Sequence, residues 1–303
     1  MSNDFSTEVL FGDIVIYKKA LPNPSTLIKI LERSKLNNVK KETYFNDWTG
    51  WYGFGDQVSM PWLPEVKNLN EVFNNNFTID NADLTEDENE QKYFAKIISS
   101  VFYSVTKDYM SRIKSLPLEW TAMGIAVCRY EVIDSPELGM AYHTDYVKSK
   151  EEAPGYKFSL TCTMYLNDNY KGGEILFLDT KTTQVVEYAP YPGDVIVFPS
   201  GEPYYHGVNK ILEGEKYIVR LFWGYDYPGS EEWHKNKELY GEEEWERMQT
   251  AEVKKHFHEG TYHKEVVWDP EELNHERFIK GEKPTVTPYL SKYPIIKKGR
   301  NNE

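Results

Sequence analysis

Two histidines and an aspartate stand at a spacing that can hold a metal ion. His143 and Asp145 form a His-x-Asp pair, and His206 follows about sixty residues later. In a β-strand, side chains at positions i and i+2 leave the same face, roughly 6–7 Å apart along the backbone. Two imidazoles and one carboxylate occupy one face of an octahedral ion and leave three positions open, as in non-haem Fe(II) sites. The pattern therefore predicts an iron centre held by these three residues.

Two cations follow His206 in a segment that reads as a strand. Lys216 and Arg220 are four residues apart among apolar residues, so both side chains are predicted to leave the same face. An inward cation is costly unless an anion accompanies it. An α-keto acid would fill two open metal positions, and its distal carboxylate would need such a cation. Alternatively, Lys216 stands at the entrance of the strand and extends to water.

Composition restricts the class of protein. The chain has 303 residues, 40% hydrophobic and 15% aromatic, which suffices for a sizeable core. A net charge of −13 disfavours nucleic-acid binding, because phosphate recognition needs clustered Lys and Arg. Cys128 and Cys162 form no CxxC motif, which favours a reducing compartment. We see no signal peptide and no apolar run of the ~18–20 residues that span a bilayer, so we expect a cytoplasmic protein without membrane or nucleic-acid partners.

The central third of the chain has the pattern of a β-sheet protein. Short apolar runs alternate with Gly, Pro, Asp and Asn between residues 123 and 225. Eight such strands fit a jelly roll, or double-stranded β-helix, in a mainly β fold with flanking helices (α+β). The predicted strands are Ile125–Glu131, Met140–Tyr146, Phe158–Leu166, Gly173–Leu178, Gln184–Tyr188, Asp194–Phe198, Tyr204–Val208 and Lys216–Tyr225.

The flanking regions are predicted to belong to the same single domain, residues 1–303. Residues 1–120 would form a helical and irregular support, 121–227 the catalytic core, and 228–303 a helical extension with a tail. Helical spacing of apolar residues predicts two helices in the first region, over residues 26–33 and 93–115.

Two segments of these regions carry no clear periodicity. Residues 44–60 are rich in aromatic residues and Gly, and are predicted to be irregular. They form either one wall of a substrate cleft, with Trp51 and Tyr52 as substrate contacts, or a loop packed over the core. Residues 284–303 are predicted to be an extended tail.

Further motifs surround the three predicted metal ligands. Together they resemble the Fe(II)/2-oxoglutarate-dependent dioxygenase superfamily, and within it the prolyl 4-hydroxylase-like branch. The resemblance covers about residues 123–225, a third of the chain. The motifs are Cys128-Arg129-Tyr130 thirteen residues before His143, Thr161-Cys-Thr-Met-Tyr165-Leu-Asn167 leading to Lys171-Gly-Gly173, Pro192-Gly-Asp194 before Phe198-Pro199, His206-Gly-Val208, and Lys216-Tyr217.

The resemblance implies a role for each residue of the motifs. His143, Asp145 and His206 would bind Fe(II). Lys216 would pair with the distal carboxylate of the co-substrate 2-oxoglutarate, and Tyr165 would donate its hydroxyl to the same carboxylate.

The remaining polar residues are assigned by the same resemblance. Tyr130 would line the co-substrate pocket. Arg220 departs from the family spacing, and is either an alternative cation for 2-oxoglutarate or a contact for a substrate carboxylate. Lys216 is favoured for the co-substrate because it stands ten residues after His206.

The implied activity is hydroxylation of an unactivated C–H by O2, with conversion of 2-oxoglutarate to succinate and CO2 and with ascorbate as a supporting reductant. The favoured substrate is a prolyl residue in a protein or peptide, and a free amino acid or small metabolite is the alternative. A non-oxidative, cupin-like metal-binding β-barrel is the rival class. The oligomeric state is left open.

Overall fold

The structure is a computed structural model of the chain. It describes residues 6–36, 48–51, 55–60, 62, 86–112, 121–132, 138–145, 158–179, 182, 184–200, 204–224, 238 and 294–300.

Both predicted helices are present, and both are longer than predicted. Helix α1 spans Pro24–Leu36, and Pro24 at its first position suits a helix start because proline lacks an N–H there. Helix α2 spans Glu86–Arg112. Its first turns are polar and acidic, so apolar periodicity could not reveal them, although acidic side chains favour a helix N-terminus. No helix in the described part of the chain combines the length and apolarity needed to cross a bilayer.

Fifteen strands are described, and thirteen of them form two sheets. The larger sheet has the order β1-β2-β11-β7-β14-β5-β4-β3, and the smaller has the order β15-β10-β9-β12-β6; β13 pairs with β8. The strands are β1 (Ser6–Val9), β2 (Val15–Lys18), β3 (Thr49–Trp51), β4 (Gly55–Ser59), β5 (Thr121–Tyr130), β6 (Leu138–His143), β7 (Phe158–Tyr165), β8 (Lys171–Gly172), β9 (Ile175–Asp179), β10 (Gln184–Ala189), β11 (Val195–Pro199), β12 (His206–Asn209), β13 (Ile211–Glu213), β14 (Lys216–Gly224) and β15 (Ile295–Gly299).

The connection order confirms the double-stranded β-helix. Strands β5, β7, β11 and β14 lie in the larger sheet, whereas β6, β9, β10 and β12 lie in the smaller one. The chain therefore passes repeatedly between two facing sheets, as a jelly roll requires. All eight predicted core strands are present, with ends that differ from the prediction by a few residues.

Two segments predicted to be irregular or a tail form strands instead. Strands β3 and β4 lie within residues 44–60 and pair with each other, and β4 also pairs with β5. Gly55 suits this close approach, since a Cβ there would lie 1.9 Å from the carbonyl oxygen of Arg129. Strand β15, from the predicted tail, pairs in parallel with β10. Sequence alternation misses both because sheet pairing, rather than local propensity, holds them.

Side-chain alternation along the larger sheet separates two cores. Val219 and Leu221 of β14 are fully buried in an apolar cluster that also contains the buried residues of α2. Ile218 of the same strand packs in the second core, between the two sheets. Because strand side chains alternate between faces, Lys216 and Arg220 share the inner face with Ile218.

Candidate metal and co-substrate site

The three predicted metal ligands meet at one end of the smaller sheet. His143 is the last residue of β6, and His206 is the first residue of β12. These two residues are register partners in the antiparallel pair, which brings their ring centroids to 4.4 Å. Asp145 lies just beyond the end of β6, so the strand geometry assumed for the His-x-Asp pair holds only for its histidine.

The donor atoms are spaced as a divalent ion requires. Nε2 of His143 lies 3.5 Å from Oδ1 of Asp145, and Nε2 of His206 lies 3.5 Å from Oδ2. One ligand atom from each residue lies within 4.8 Å of the others. Adjacent donors on an octahedral ion are about 3 Å apart for bonds of about 2.1 Å. The set therefore fits Fe(II), which would be held by these three side chains.

A chain of hydroxyls orients the carboxylate of Asp145. The Thr161 hydroxyl donates to Oδ2 of Asp145 at 2.7 Å, and the hydroxyls of Thr161 and Ser200 are 2.8 Å apart. A hydroxyl has only one proton, so Ser200 must donate to Thr161. Such outer contacts fix the direction of a metal ligand.

The ring of His206 is oriented by the backbone. Its Nδ1 lies 3.3 Å from the carbonyl oxygen of Tyr204. A proton on Nδ1 would be donated to this carbonyl, which leaves the lone pair of Nε2 directed to the side where Asp145 lies.

The electrostatics of the site keep Asp145 ionised. Burial alone would raise the pKa of this carboxyl. The charges of His206 and His143 and the hydrogen bonds from His143 and Thr161 outweigh burial, and they hold the pKa well below its usual range. The carboxylate is therefore a charged ligand throughout the physiological pH range.

Lys216 is a buried cation enclosed by aromatic rings. Its side chain is 2% exposed, and Nζ donates a hydrogen bond to the carbonyl oxygen of Gly173. Nζ lies 5.1 Å from the ring centroid of Tyr165, 5.4 Å from that of Tyr130 and 5.9 Å from that of Tyr170. Ring faces stabilise a desolvated ammonium group but do not neutralise it, which prepares this position for an anion.

The phenols beside Lys216 are hydrogen-bond donors. Burial raises the pKa of Tyr130 and of Tyr165 well above the ordinary value, so both hydroxyls stay protonated. Both residues line the cavity that contains the three metal ligands and Lys216. This position agrees with the expectation that they contact the co-substrate, and their individual roles stay predictions.

The predicted pairing of Lys216 with the co-substrate would make co-substrate binding sensitive to pH. Burial lowers the pKa of Lys216 to about 7. The charge of Glu174 partly opposes this shift, and the charge of Arg300 adds to it. A carboxylate binds the protonated amine, so affinity for 2-oxoglutarate is expected to fall as pH rises from about 7 to 9. Because the bound anion raises the pKa, binding should also take up protons.

Calorimetry under anaerobic conditions tests this coupling. Titrations of 2-oxoglutarate at pH 8 in two buffers of different ionisation enthalpy should give different apparent enthalpies. Equal enthalpies and a flat affinity between pH 7 and 9 would contradict a protonation step at Lys216.

Gly173 sets the position of Lys216. Its φ is +70°, and a Cβ would lie 2.5 Å from Cδ1 of Ile211 and 3.1 Å from Cδ of Lys216. Gly173→Ala is therefore expected to lower the free energy of unfolding by about 1–3 kcal/mol and to weaken 2-oxoglutarate binding. Gly50→Ala on β3 is the matched control, because a Cβ there would have no atom of the described residues within 4 Å. Chemical denaturation and calorimetry measure both effects, and equal behaviour of the two variants would contradict this role.

Arg220 lies in the same cavity as the metal ligands and Lys216. Nη2 of Arg220 donates to Oε1 of Gln57 at 3.2 Å, and its guanidinium lies 5.3 Å from the ring centroid of Phe222. The prediction that Lys216 and Arg220 share one face of the strand is confirmed by this common cavity. The side chain of Trp51 and the whole of Tyr52 lie outside the described residues, so their predicted substrate contacts stay predictions.

Several residues of the site were not singled out from the sequence. Thr161 and Thr163 line the cavity with Tyr165, and simple alternation backwards from Tyr165 along β7 would have found them. Ser200 and Gln57 offered no such signal, because each reaches the site through contacts between distant segments.

Comparison with known proteins identifies the central segment. Residues 126–224 match the family model of the 2OG-Fe(II) oxygenase superfamily. Prolyl 3-hydroxylase 2 of Rattus norvegicus is 34% identical over 79 residues, which are 25% of this chain and 11% of that protein. Prolyl 3-hydroxylase 3 of Mus musculus is 28% identical over 160 residues, or 48% of this chain and 21% of that protein. The chain thus spans between about a tenth and a fifth of these relatives.

A solved structure shows a weaker similarity. It is the viral collagen prolyl hydroxylase of Paramecium Bursaria Chlorella virus-1 in its 2OG complex, with a TM-score of 0.41 and 14% identity over 71% of this chain and 97% of that chain. The assignment depends on the family match, which contains all three metal ligands, Lys216 and Arg220. Residues 126–224 therefore match the 2OG-Fe(II) oxygenase superfamily, which is the superfamily that the sequence motifs resemble.

Proposed function

We propose that the chain is an Fe(II)- and 2-oxoglutarate-dependent dioxygenase that hydroxylates a prolyl residue of a peptide or protein. One observation carries the reaction class. His143, Asp145 and His206 converge in the same cavity as the buried amine of Lys216, within the segment that matches the superfamily.

Each residue of the cavity has its own proposed role in the reaction. The triad would hold Fe(II), which with 2-oxoglutarate supplies the oxidation when both are bound. Lys216 would bind the distal carboxylate of 2-oxoglutarate, with a donated hydroxyl from Tyr165. Thr161 keeps Asp145 directed at the metal position. The overall reaction converts R–H, O2 and 2-oxoglutarate to R–OH, succinate and CO2.

The prolyl substrate is supported by the relatives that share part of this chain. Their names describe prolyl 3-hydroxylases, and the shared segment reaches 48% of this chain in the mouse protein. We further propose a cytoplasmic location without a nucleic-acid partner, supported by the net charge of −13 and by the two buried free thiols of Cys128 and Cys162.

The test measures succinate and substrate oxidation together. The native protein is supplied with Fe(II), ascorbate, 2-oxoglutarate and O2, with and without prolyl peptides. Succinate release that rises with a peptide, and a peptide mass increase of one oxygen atom, would support the proposal. Absence of both, together with no 2-oxoglutarate binding under anaerobic conditions, would contradict it and favour a cupin-like metal-binding barrel.

A further inference from the structure

The two cations of the cavity lie at different depths. Lys216 is 2% exposed, whereas Arg220 is only partly buried. Both line the cavity, so one cation lies at a closed part of it and the other in a part that solvent reaches. A single small dianion that bridges the metal and Lys216 leaves the region of Arg220 for another ligand.

Strand register places Arg220 closer to the metal ligands than Lys216 is. Ile218, Arg220 and Phe222 of β14 pair with Tyr165, Thr163 and Thr161 of β7, respectively. Thr161 binds Asp145, so the level of Phe222 is the level of that metal ligand. At about 3.3 Å per residue, Arg220 is two residues, or about 7 Å, from this level along the strand, and Lys216 begins four residues further from it. An arginine side chain spans the shorter distance, which makes Arg220 the cation nearer to the level of this metal ligand.

The charges that line the cavity leave room for a further anion. Among the described lining residues, the ionic side chains besides the histidines are Asp145, Lys216 and Arg220. With a divalent metal, the positive charges exceed the negative charge by three, and dianionic 2-oxoglutarate cancels two of these. Buried charge is stable when it is paired, so one more negative group suits the loaded site.

The guanidinium of Arg220 is held in a fixed orientation. The side-chain oxygen of Gln57 in β4 accepts a hydrogen bond from the guanidinium, which lies over the ring of Phe222. A planar guanidinium fixed in this way can bind a carboxylate through two parallel hydrogen bonds. The amide oxygen of Gln57 orients the guanidinium and carries no charge of its own.

On this basis, and provided that the chain hydroxylates its substrate with Fe(II) and 2-oxoglutarate, we propose that Arg220 binds a carboxylate of the substrate and selects substrates that carry one close to the oxidised carbon. Two sources have this chemistry: the α-carboxylate of a free amino acid, and the side chain of an acidic residue beside a prolyl residue. Gln57, from the hairpin before the β-helix, positions the guanidinium.

The test compares matched probes on the full chain loaded with Fe(II) and 2-oxoglutarate under anaerobic conditions. One pair is L-proline and L-prolinamide; the other is N-acetyl-prolyl-aspartyl amide and its asparaginyl counterpart. Calorimetry should show the carboxylate member of one pair binding about tenfold tighter or more. The pair that discriminates identifies the source of the carboxylate.

Three variants test whether Arg220 causes the preference for the carboxylate probe. Arg220→Gln should lose it, and Gln57→Glu should also lower it, because a new carboxylate would occupy the guanidinium. Gln57→Glu keeps the inference testable if Arg220→Gln does not fold. Arg33→Gln is the matched control, since Arg33 is an exposed arginine paired with Glu90.

Three results would overturn the inference while leaving the proposed function intact. They are equal binding of the carboxylate and amide members of both pairs, no binding of either carboxylate probe, and loss of 2-oxoglutarate binding in Arg220→Gln. The last would assign Arg220 to the co-substrate. If the native protein does not bind 2-oxoglutarate at all, the proposed function itself fails.

Discussion

Alanine in place of His143 or Asp145 is expected to lower succinate release from 2-oxoglutarate by more than about a hundredfold. Loss of a residue that merely orients a metal ligand already costs about 10–100-fold in metal affinity or activity, so loss of a ligand should cost more. The same variants should lose Fe(II) binding measured by equilibrium dialysis, which separates metal loss from a defect in substrate binding.

The control for these variants is Asp56→Ala. Asp56 is a partly exposed carboxylate that pairs with Arg129 at 3.2 Å and does not line the cavity. It should keep the native rate, because such pairs contribute little to stability. Native turnover in His143→Ala or Asp145→Ala would refute the assignment of the metal site.

Lys216→Met is expected to abolish 2-oxoglutarate binding without destabilising the fold. The ammonium is fully buried, and its low pKa of about 7 shows that burial disfavours the charged form. A methionine of similar volume removes that cost, so the melting temperature should stay the same or rise. Removing the partner of a desolvated carboxylate typically costs about 2–5 kcal/mol, so affinity should fall by at least about thirtyfold.

The matched control is Lys171→Met, because Lys171 is 67% exposed and pairs with a surface glutamate, Glu213. Thermal melts and anaerobic calorimetry should find this variant close to the native protein. Retained 2-oxoglutarate affinity in Lys216→Met, together with its loss in Arg220→Gln, would show that Arg220 rather than Lys216 binds the co-substrate. A large fall in melting temperature would show that the amine mainly supports the fold.

The catalytic core was predictable because its determinants are local in sequence. Alternation between apolar and polar residues is clear in β7, where it predicts which face meets the cavity, whereas β11 is a continuous apolar run typical of a buried strand. Residue type and order alone predict the metal ligands. The register of β6 and β12 then places His143 opposite His206. The positions of Lys216 and Arg220 follow from a spacing of four residues in a strand.

The residues that complete the site depend on pairing between distant segments. Gln57 reaches Arg220 only because β4 joins the edge of β5, and nothing in the Gly-rich sequence around β4 indicates that pairing. Ser200 meets Thr161 because the chain continues past the end of β11, where Phe198 is the register partner of Thr161. Sheet register therefore supplies information that one-dimensional patterns lack.

Strand β15 replaces β10 as the edge of the smaller sheet, and it carries Lys297 and Lys298, which discourage pairing with other chains. It covers the edge of β10, which would otherwise present a row of N–H and C=O groups to other chains. Arg300, directly after it, lies 4.4 Å from the ring centroid of Tyr170, one of the rings around Lys216. Deleting residues 294–303 would thus expose the edge of β10 to pairing with other chains, and it would also alter the surroundings of the predicted co-substrate cation, Lys216.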